Sequence, residues 1–223
     1  MKLIKPSWAI EDMKSGDEIL KSLERFGRNC YKSEDRITSE SARRFMQMIV
    51  HEKKHYSILR HEKATVRLIC SRSTSHQIVR HGLASFLQES QRYVNYSKKN
   101  DGEIQFIIPH FLHEFIPEGV YKDADVDKLE LLNGVRMWAR HMLSSSYMYH
   151  SLIELGWKPE RARGVLANDA KTEVIITANL EEWRHIFNQR ASSHADEAMQ
   201  HLIYPLLEEF KKHIPILFDD INP

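Results

Sequence analysis

The sequence predicts a single α/β (α+β) domain over residues 1–223, with helices arranged around a short-stranded sheet. Three observations carry this. Apolar residues recur at helical spacing over long stretches, short β-branched runs interrupt them, and no linker, repeat or low-complexity block divides the chain. Hydrophobic residues make up 42% and charged residues 28%, enough apolar material at this length for a substantial core. Only 8 Gly and 7 Pro are present, which argues against fibrous, linker-rich and disordered classes.

The elements follow in order. Residues 2–9 read as a strand. Residues 19–26 read as a helix, with Ile19, Leu20, Leu23 and Phe26 on one face, a cap at Ser15 or Asp17, and Gly27 as its stop. A second helix opens at Thr38 and carries Phe45, Met46 and Ile49 on one side. Residues 64–70 (ATVRLIC) form a strand, 73–83 a helix, 90–102 a polar loop, and 103–109 (EIQFIIP) another strand. A long helix is expected over 125–155 and one or two helical turns over 159–166. A strand at 172–178 (TEVIITA) leads into helices at 179–189 and 195–213. The last of these has an apolar stripe of Leu202, Ile203, Leu206, Leu207 and Phe210. About four short strands are expected in all.

Composition narrows the function class. With 32 basic and 31 acidic side chains the formal net charge is +1, without the basic excess of a general nucleic-acid binder. No apolar run is long enough to span a membrane, and the start, MKLIKPSWAIEDMKSG, lacks the charged and apolar regions of a secretion signal. Two cysteines, Cys30 and Cys70, cannot frame a disulfide scaffold and suit a reducing compartment. The expectation is a cytoplasmic enzyme with neither a nucleic-acid nor a membrane partner. The 13 histidines are the one unusual count.

Two segments carry candidate chemistry. His51 to His55 (HEKKH) matches the H-E-x-x-H spacing that places two zinc ligands one helical turn apart. A working site requires the helix to run through both histidines, and this one nears its end. His110, His113, His141, His150, His201 and His213 have no metal-like spacing, so no metal site is expected. Asp123, Asp125 and Asp127 imitate the start of a calcium loop but lack its Gly and terminal Glu. Trp138, Trp157 and Trp183 read as core or interface anchors. The second segment, from Ser75 to Tyr93, gathers Gln77, Arg80, His81, Gln88, Ser90 and Arg92. On a helix, Gln77, Arg80 and His81 share one face. Arginine suits bidentate phosphate recognition, with Ser and Gln as neutral donors. Composition alone leaves a phosphate site and a solvated helix face equally open.

The same segment resembles the signature of flavin-dependent thymidylate synthases, an Arg-His-Arg followed by seven residues and a Ser. Here it stands as Arg80-His81-Gly82, seven residues, then Ser90. The likeness extends along the chain in order. Residues 25–42 look like the family's N-terminal region. His55 to His61 (HYSILRH) is similar to its His-x-Ser/Thr-x-x-Glu-His element except at Arg60. Ala162 to Leu166 (ARGVL) resembles Ala-Arg-x-x-Leu-Pro, with Ala167 for the Pro. Thr177 to Arg190 resembles the last site region, and 203–221 the family's tail.

The resemblance implies an α/β fold particular to the family and a homotetramer with active sites shared between subunits. It implies conversion of dUMP to dTMP, with methylenetetrahydrofolate as one-carbon donor, FAD as cofactor and NADPH as reductant. By similarity Gln77, Arg80, Gln88, Glu89, Ser90, Arg92, Arg163 and Arg190 would contact dUMP. Ser57, Arg80, His81, Gly82, Gln88, Asn179 and His185 would contact FAD, and His55 is the one other histidine to which the resemblance gives a role. Arg190 would be the catalytic residue, favouring ionisation of the pyrimidine at N3. The family needs no protein nucleophile, so Cys30, expected in a loop after Gly27, and Cys70, at a strand end, read as structural.

Four positions depart from the family pattern: Gly82 replaces Arg, Glu181 stands where Arg is common, Arg60 replaces Glu, and Ala167 replaces Pro. A lost charge-assisted hydrogen bond costs roughly 1.5–3 kcal/mol. Either Arg60 or Arg184 supplies the missing charge, or flavin binds weakly. The departures leave two alternatives open: flavin-independent, folate-dependent hydroxymethylation of a deoxypyrimidine nucleotide, and an inactive nucleotide-binding homologue.

Overall fold

A computed structural model describes residues 1–130 and 134–222. It is a mixed helix-and-sheet structure, as the sequence predicts, with seven strands among the described residues rather than about four. These are β1 (Lys2–Ile4), β2 (Ser7–Asp12), β3 (Lys63–Ser71), β4 (Ser85–Gln88), β5 (Gln105–Ile107), β6 (Gly119–Val120) and β7 (Lys171–Asn179). The main helices are α1 (Gly16–Tyr31), α2 (Ser41–Gln47), α3 (Arg72–Ile78), α5 (Val135–Glu154), α7 (Leu180–Arg190) and α8 (Glu197–His213). The short α4 (Asp123–Val126), α6 (Pro159–Ala162) and α9 (Pro215–Phe218) complete the set. Among the described residues no helix is long and apolar enough to cross a membrane.

Two compact units are present. The first contains Met1–Ser7, Leu68–Arg80 and Leu87–Val174, and the second contains Trp8–Arg67, His81–Phe86 and Ile175–Pro223. In the first, β1 pairs in parallel with β5, Leu3 opposite Phe106, and antiparallel with β6. Leu3, Phe106, Ile108, Ala139 and Tyr149 are fully buried there, so α5 covers its core with one apolar face. The strand expected over 2–9 is broken at Pro6, which cannot donate to a ladder, and its second half becomes β2. The strand expected over 103–109 shortens to β5. The polar segment 90–102 is a loop as expected, tightened by helical turns at Tyr96–Lys98 and Asn100–Gly102.

In the second unit α1 begins at Ser15, whose hydroxyl accepts from the Glu18 amide while the Glu18 carboxylate returns to the Ser15 backbone. Gly27 does not end this helix. A Cβ there would lie 2.5 Å from Ile58 Cδ1 and 2.7 Å from Phe45 Cε1, so the glycine permits close packing and the helix runs on to Tyr31. Cys30 therefore sits on the helix, exposed, rather than in a loop. The second helix starts at Ser41, three residues later than expected, and loosens into a π-helical turn over Met48–Glu52. Trp183, Phe187, Phe210 and Phe218 stack edge and face at 5.0–5.7 Å, joining α7, α8 and α9. Trp183 Nε1 donates to the Ala64 carbonyl at 3.1 Å and ties α7 to β3.

The long strands β3 and β7 contribute residues to both units, in a sheet ordered β2-β3-β7-β4. Both alternate between buried and part-exposed positions. The helix expected over 125–155 is resolved into α4 and α5. Arg140 on α5 pairs with Asp123 and Asp127, which gives those carboxylates a partner other than calcium. Residues 131–133 of that expectation lie outside the described residues.

Candidate functional site

The predicted substrate residues of the first unit start from α3. Its N-cap Ser71 accepts from the Thr74 amide at 3.1 Å, and the helix ends at Ile78 rather than reaching residue 83. The β-branched pair Ile78–Val79 and the open glycine at 82 disfavour its continuation. Gln77 is therefore on the helix and half-buried, whereas Arg80 lies beyond its end and is exposed. Gln77, Arg80 and His81 do not share one helical face, and Arg80 and His81 fall in different units.

Gln88 and Glu89 sit at the end of β4 in a fixed polar network. Gln88 Nε2 donates to Ser75 Oγ at 2.8 Å and to Thr172 Oγ1 at 3.3 Å. The Glu89 amide bonds to the Glu173 carbonyl at 2.9 Å, and its carboxylate pairs with Lys171 Nζ at 2.9 Å. Ser90 opens a turn in which its carbonyl accepts from Tyr93 and Val94. Arg92 lies over the Tyr93 ring at 5.5 Å. Arg163 begins a helical turn after α6 and is exposed. Among the described residues Arg80, Arg92 and Arg163 have no carboxylate partner, so their charge is available to an anionic ligand. Ser75 and Lys171 order this region and were missed from sequence. Ser75 lay within the recognised cluster, but nothing local marks Lys171, which meets Glu89 across 82 positions.

In the second unit α7 carries four relevant side chains. Asn179 is its N-cap and accepts from the Glu182 amide at 2.9 Å. Arg190, on its last turn, donates from Nε to His81 Nε2 at 3.0 Å. His81 Nδ1 lies 3.5 Å from Glu182 Oε1, with both side chains almost fully buried. The His185 ring meets His81 edge-on at 5.5 Å. Burial, then the Arg190 charge, then His185 push the His81 pKa down to about 4, so the ring is neutral at neutral pH. Burial raises the Glu182 carboxyl above its ordinary value. His81, Glu182 and His185 offer ligand atoms close enough for one metal ion. Arg190 claims the Nε2 lone pair of His81, however, which leaves the ring proton on Nδ1 and no free pair to ligate.

Ser57 lies in the helical turn Tyr56–His61 and lines a cavity of about 460 Å³ whose walls include Phe26, Ile49, Ile58 and Tyr31. His55 and Arg60 also line it, and His55 Nδ1 meets the Tyr31 hydroxyl at 3.1 Å. Arg60 pairs with Glu181. Arg184 lies over the Tyr56 ring at 4.6 Å, but its buried guanidinium binds both oxygens of Asp220 at 2.6–2.7 Å and donates to the Leu217 carbonyl. Of the two arginines considered as sources of compensating charge, Arg184 is thus committed to the C-terminal segment. The two histidines of HEKKH are separated: His51 Nε2 bonds to the Ile216 carbonyl at 2.9 Å, and the π-helical turn ends at Glu52, before His55. Gly82 is exposed, and a Cβ there would meet nothing within 4 Å.

A family model described as thymidylate synthase complementing protein matches residues 13–216. A flavin-dependent thymidylate synthase of Pyrococcus furiosus is 34% identical over 170 residues, covering 76% of this chain and 61% of the relative. That of Corynebacterium aurimucosum is 30% identical over 226 residues, covering 96% and 84%. A probable flavin-dependent thymidylate synthase of Mycobacterium phage D29 is 30% identical over 227 residues, covering 97% and 91%. The chain thus spans about three-fifths of the archaeal relative's length and most of the other two.

Proposed function

The chain belongs to the thymidylate synthase complementing protein family, and on that premise we propose that it is a flavin-dependent thymidylate synthase acting on dUMP. In this reading methylenetetrahydrofolate donates the one-carbon unit, dTMP is the product, and NADPH is the reductant. The observation that carries it is the part-buried contact of Arg190 with His81, two positions that the resemblance assigns to the site and that meet across 109 residues.

The residues have distinct tasks. Arg80, Arg92 and Arg163 present uncompensated charge for the dUMP phosphate, with Gln77, Gln88, Glu89 and Ser90 as neutral or oriented partners. Arg190 faces the pyrimidine and stabilises negative charge at N3, which raises electron density at C5 for attack on the one-carbon donor. A neutral His81 orients that guanidinium without cancelling its charge. Reduced FAD, when bound, supplies the hydride. Ser57, His81, Gly82, Asn179 and His185, with shared contacts from Arg80 and Gln88, would hold it. The apolar walls around Ser57 suit a flat heterocycle, and the Arg60 side chain offsets the Glu181 carboxylate that would otherwise repel a pyrophosphate. That offset favours the methylation reading over the flavin-independent one.

The same reading makes residues 1–223 one functional domain of a cytoplasmic homotetramer. The visible spectrum of freshly purified protein tests the cofactor assignment. A flavin absorption band that persists through gel filtration is expected, and a colourless protein that stays colourless after incubation with FAD would overturn it.

A further inference from the structure

We propose that Glu182 is a positioning residue, fixing the tautomer of His81 and through it the orientation of the Arg190 guanidinium. The inference deepens the reading above, which places Arg190 against the pyrimidine, but its geometry lies within one compact unit and can be tested without turnover.

The tautomer follows from hydrogen-bond chemistry. Arg190 Nε donates to His81 Nε2 at 3.0 Å. A guanidinium offers only donors, so Nε2 must present its lone pair and the ring proton of neutral His81 resides on Nδ1. Nδ1 lies 3.5 Å from Glu182 Oε1, with side-chain exposure of 3% for His81 and 5% for Glu182. Among the described residues no other side chain lies within ion-pairing distance of the Glu182 carboxylate, although the His185 charge also acts on it. A buried acceptor without a donor is costly, so the carboxylate favours the ring form that keeps its proton on the facing Nδ1.

The helix supplies the spacing. Glu182 lies in the first turn of α7 and Arg190 at its last residue, about 12 Å apart along the axis at 1.5 Å per residue. The imidazole, arriving from the segment after α3, bridges them. A direct Glu182–Arg190 pair would neutralise the guanidinium. The interposed ring is neutral, so it gives Arg190 direction without itself pairing the guanidinium charge. Removing the acceptor at 182 leaves the Arg190 contact alone to hold the Nδ1–H form, so the Nε2–H tautomer, in which His81 and Arg190 oppose donor to donor, gains population.

The test uses the full-length protein, ¹⁵N-labelled at histidine, as wild type, Glu182→Gln and Glu182→Leu. Nitrogen chemical shifts report which ring nitrogen of His81 is protonated. Wild type is expected as the Nδ1–H tautomer. Glu182→Gln, whose amide oxygen still accepts, is expected to keep it, and Glu182→Leu to shift it toward Nε2–H. At saturating dUMP, turnover should fall about tenfold in Glu182→Leu and stay within about threefold of wild type in Glu182→Gln. An Nε2–H tautomer in the wild type, or an unchanged Nδ1–H tautomer in Glu182→Leu, would overturn the proposal. If the leucine variant fails to fold, the smaller Glu182→Ala takes its place with the same two outcomes. A wild-type protein that makes no dTMP yet shows the expected tautomers would defeat the proposed function and leave the positioning role standing.

Discussion

Arg60 donates to the Glu181 carboxylate, so two of the positions at which the chain departs from the family pattern meet each other. The family's Glu and Arg are replaced by Arg and Glu: the polarity of the pair is reversed while its sum is kept. Arg60 is exposed and Glu181 part-exposed, and such surface pairs contribute little to stability. Their consequence is electrostatic. Exchanging both residues in Arg60→Glu/Glu181→Arg is expected to retain flavin affinity, whereas Arg60→Glu alone, with two neighbouring carboxylates, should weaken it. Flavin titration by fluorescence quenching distinguishes the two, and equal affinity for both variants would refute the coupling.

Gly82 marks the opposite situation, a charge deleted with nothing in its place. A side chain at this position meets open space and no positive backbone φ, so Gly82→Arg should fold normally. Restoring a charge-assisted donor is expected to tighten FAD binding by about one to two decades, corresponding to roughly 1.5–3 kcal/mol. An unchanged dissociation constant in the same titration would show that position 82 does not reach the cofactor.

At Gly27 the constraint is steric. An alanine Cβ would lie within 3 Å of Ile58 and Phe45, both side chains packed against α1. Gly27→Ala should therefore destabilise the protein by about 1–3 kcal/mol despite the better helix propensity of alanine. The midpoint of urea unfolding measures this, and a more stable variant would mean that the helix pair has room to separate.

Buried His81 gives stability a pH dependence of known sign. Its pKa is about 4 in the folded protein against 6.5 for an unperturbed histidine, so the unfolded chain takes up the proton first as pH falls. The stabilisation is fully present above about pH 6.5 and is lost as pH drops toward 4. His81→Asn should flatten that part of the profile. A wild-type profile that is flat between pH 6.5 and 4 would contradict the burial of a neutral ring.

Local signals were legible where local chemistry decides. A helix cap at Ser15, the β-branched strand β7 and the apolar stripe of α8 all appear in the structure at or near the expected residues. Gly27 was misread because its role depends on Phe45 and Ile58, which no window around residue 27 contains. Arg80 and His81 looked helical because spacing alone cannot register the end of α3 at Ile78. The resemblance singled out His81 and Arg190 separately, yet their contact spans 109 positions and that of Arg60 with Glu181 spans 121. Glu182 carried no signal at all, since an acidic residue in the first turn of a helix is ordinary.

The central claim is that this chain makes thymidylate by reductive methylation. Its most direct test incubates the purified protein with dUMP, methylenetetrahydrofolate, FAD and NADPH and identifies the nucleotide product by mass spectrometry. dTMP is the expected product, formed by the flavin-bearing protein only when dUMP, methylenetetrahydrofolate and NADPH are all supplied. 5-Hydroxymethyl-dUMP as the product, or dUMP recovered unchanged, would contradict it.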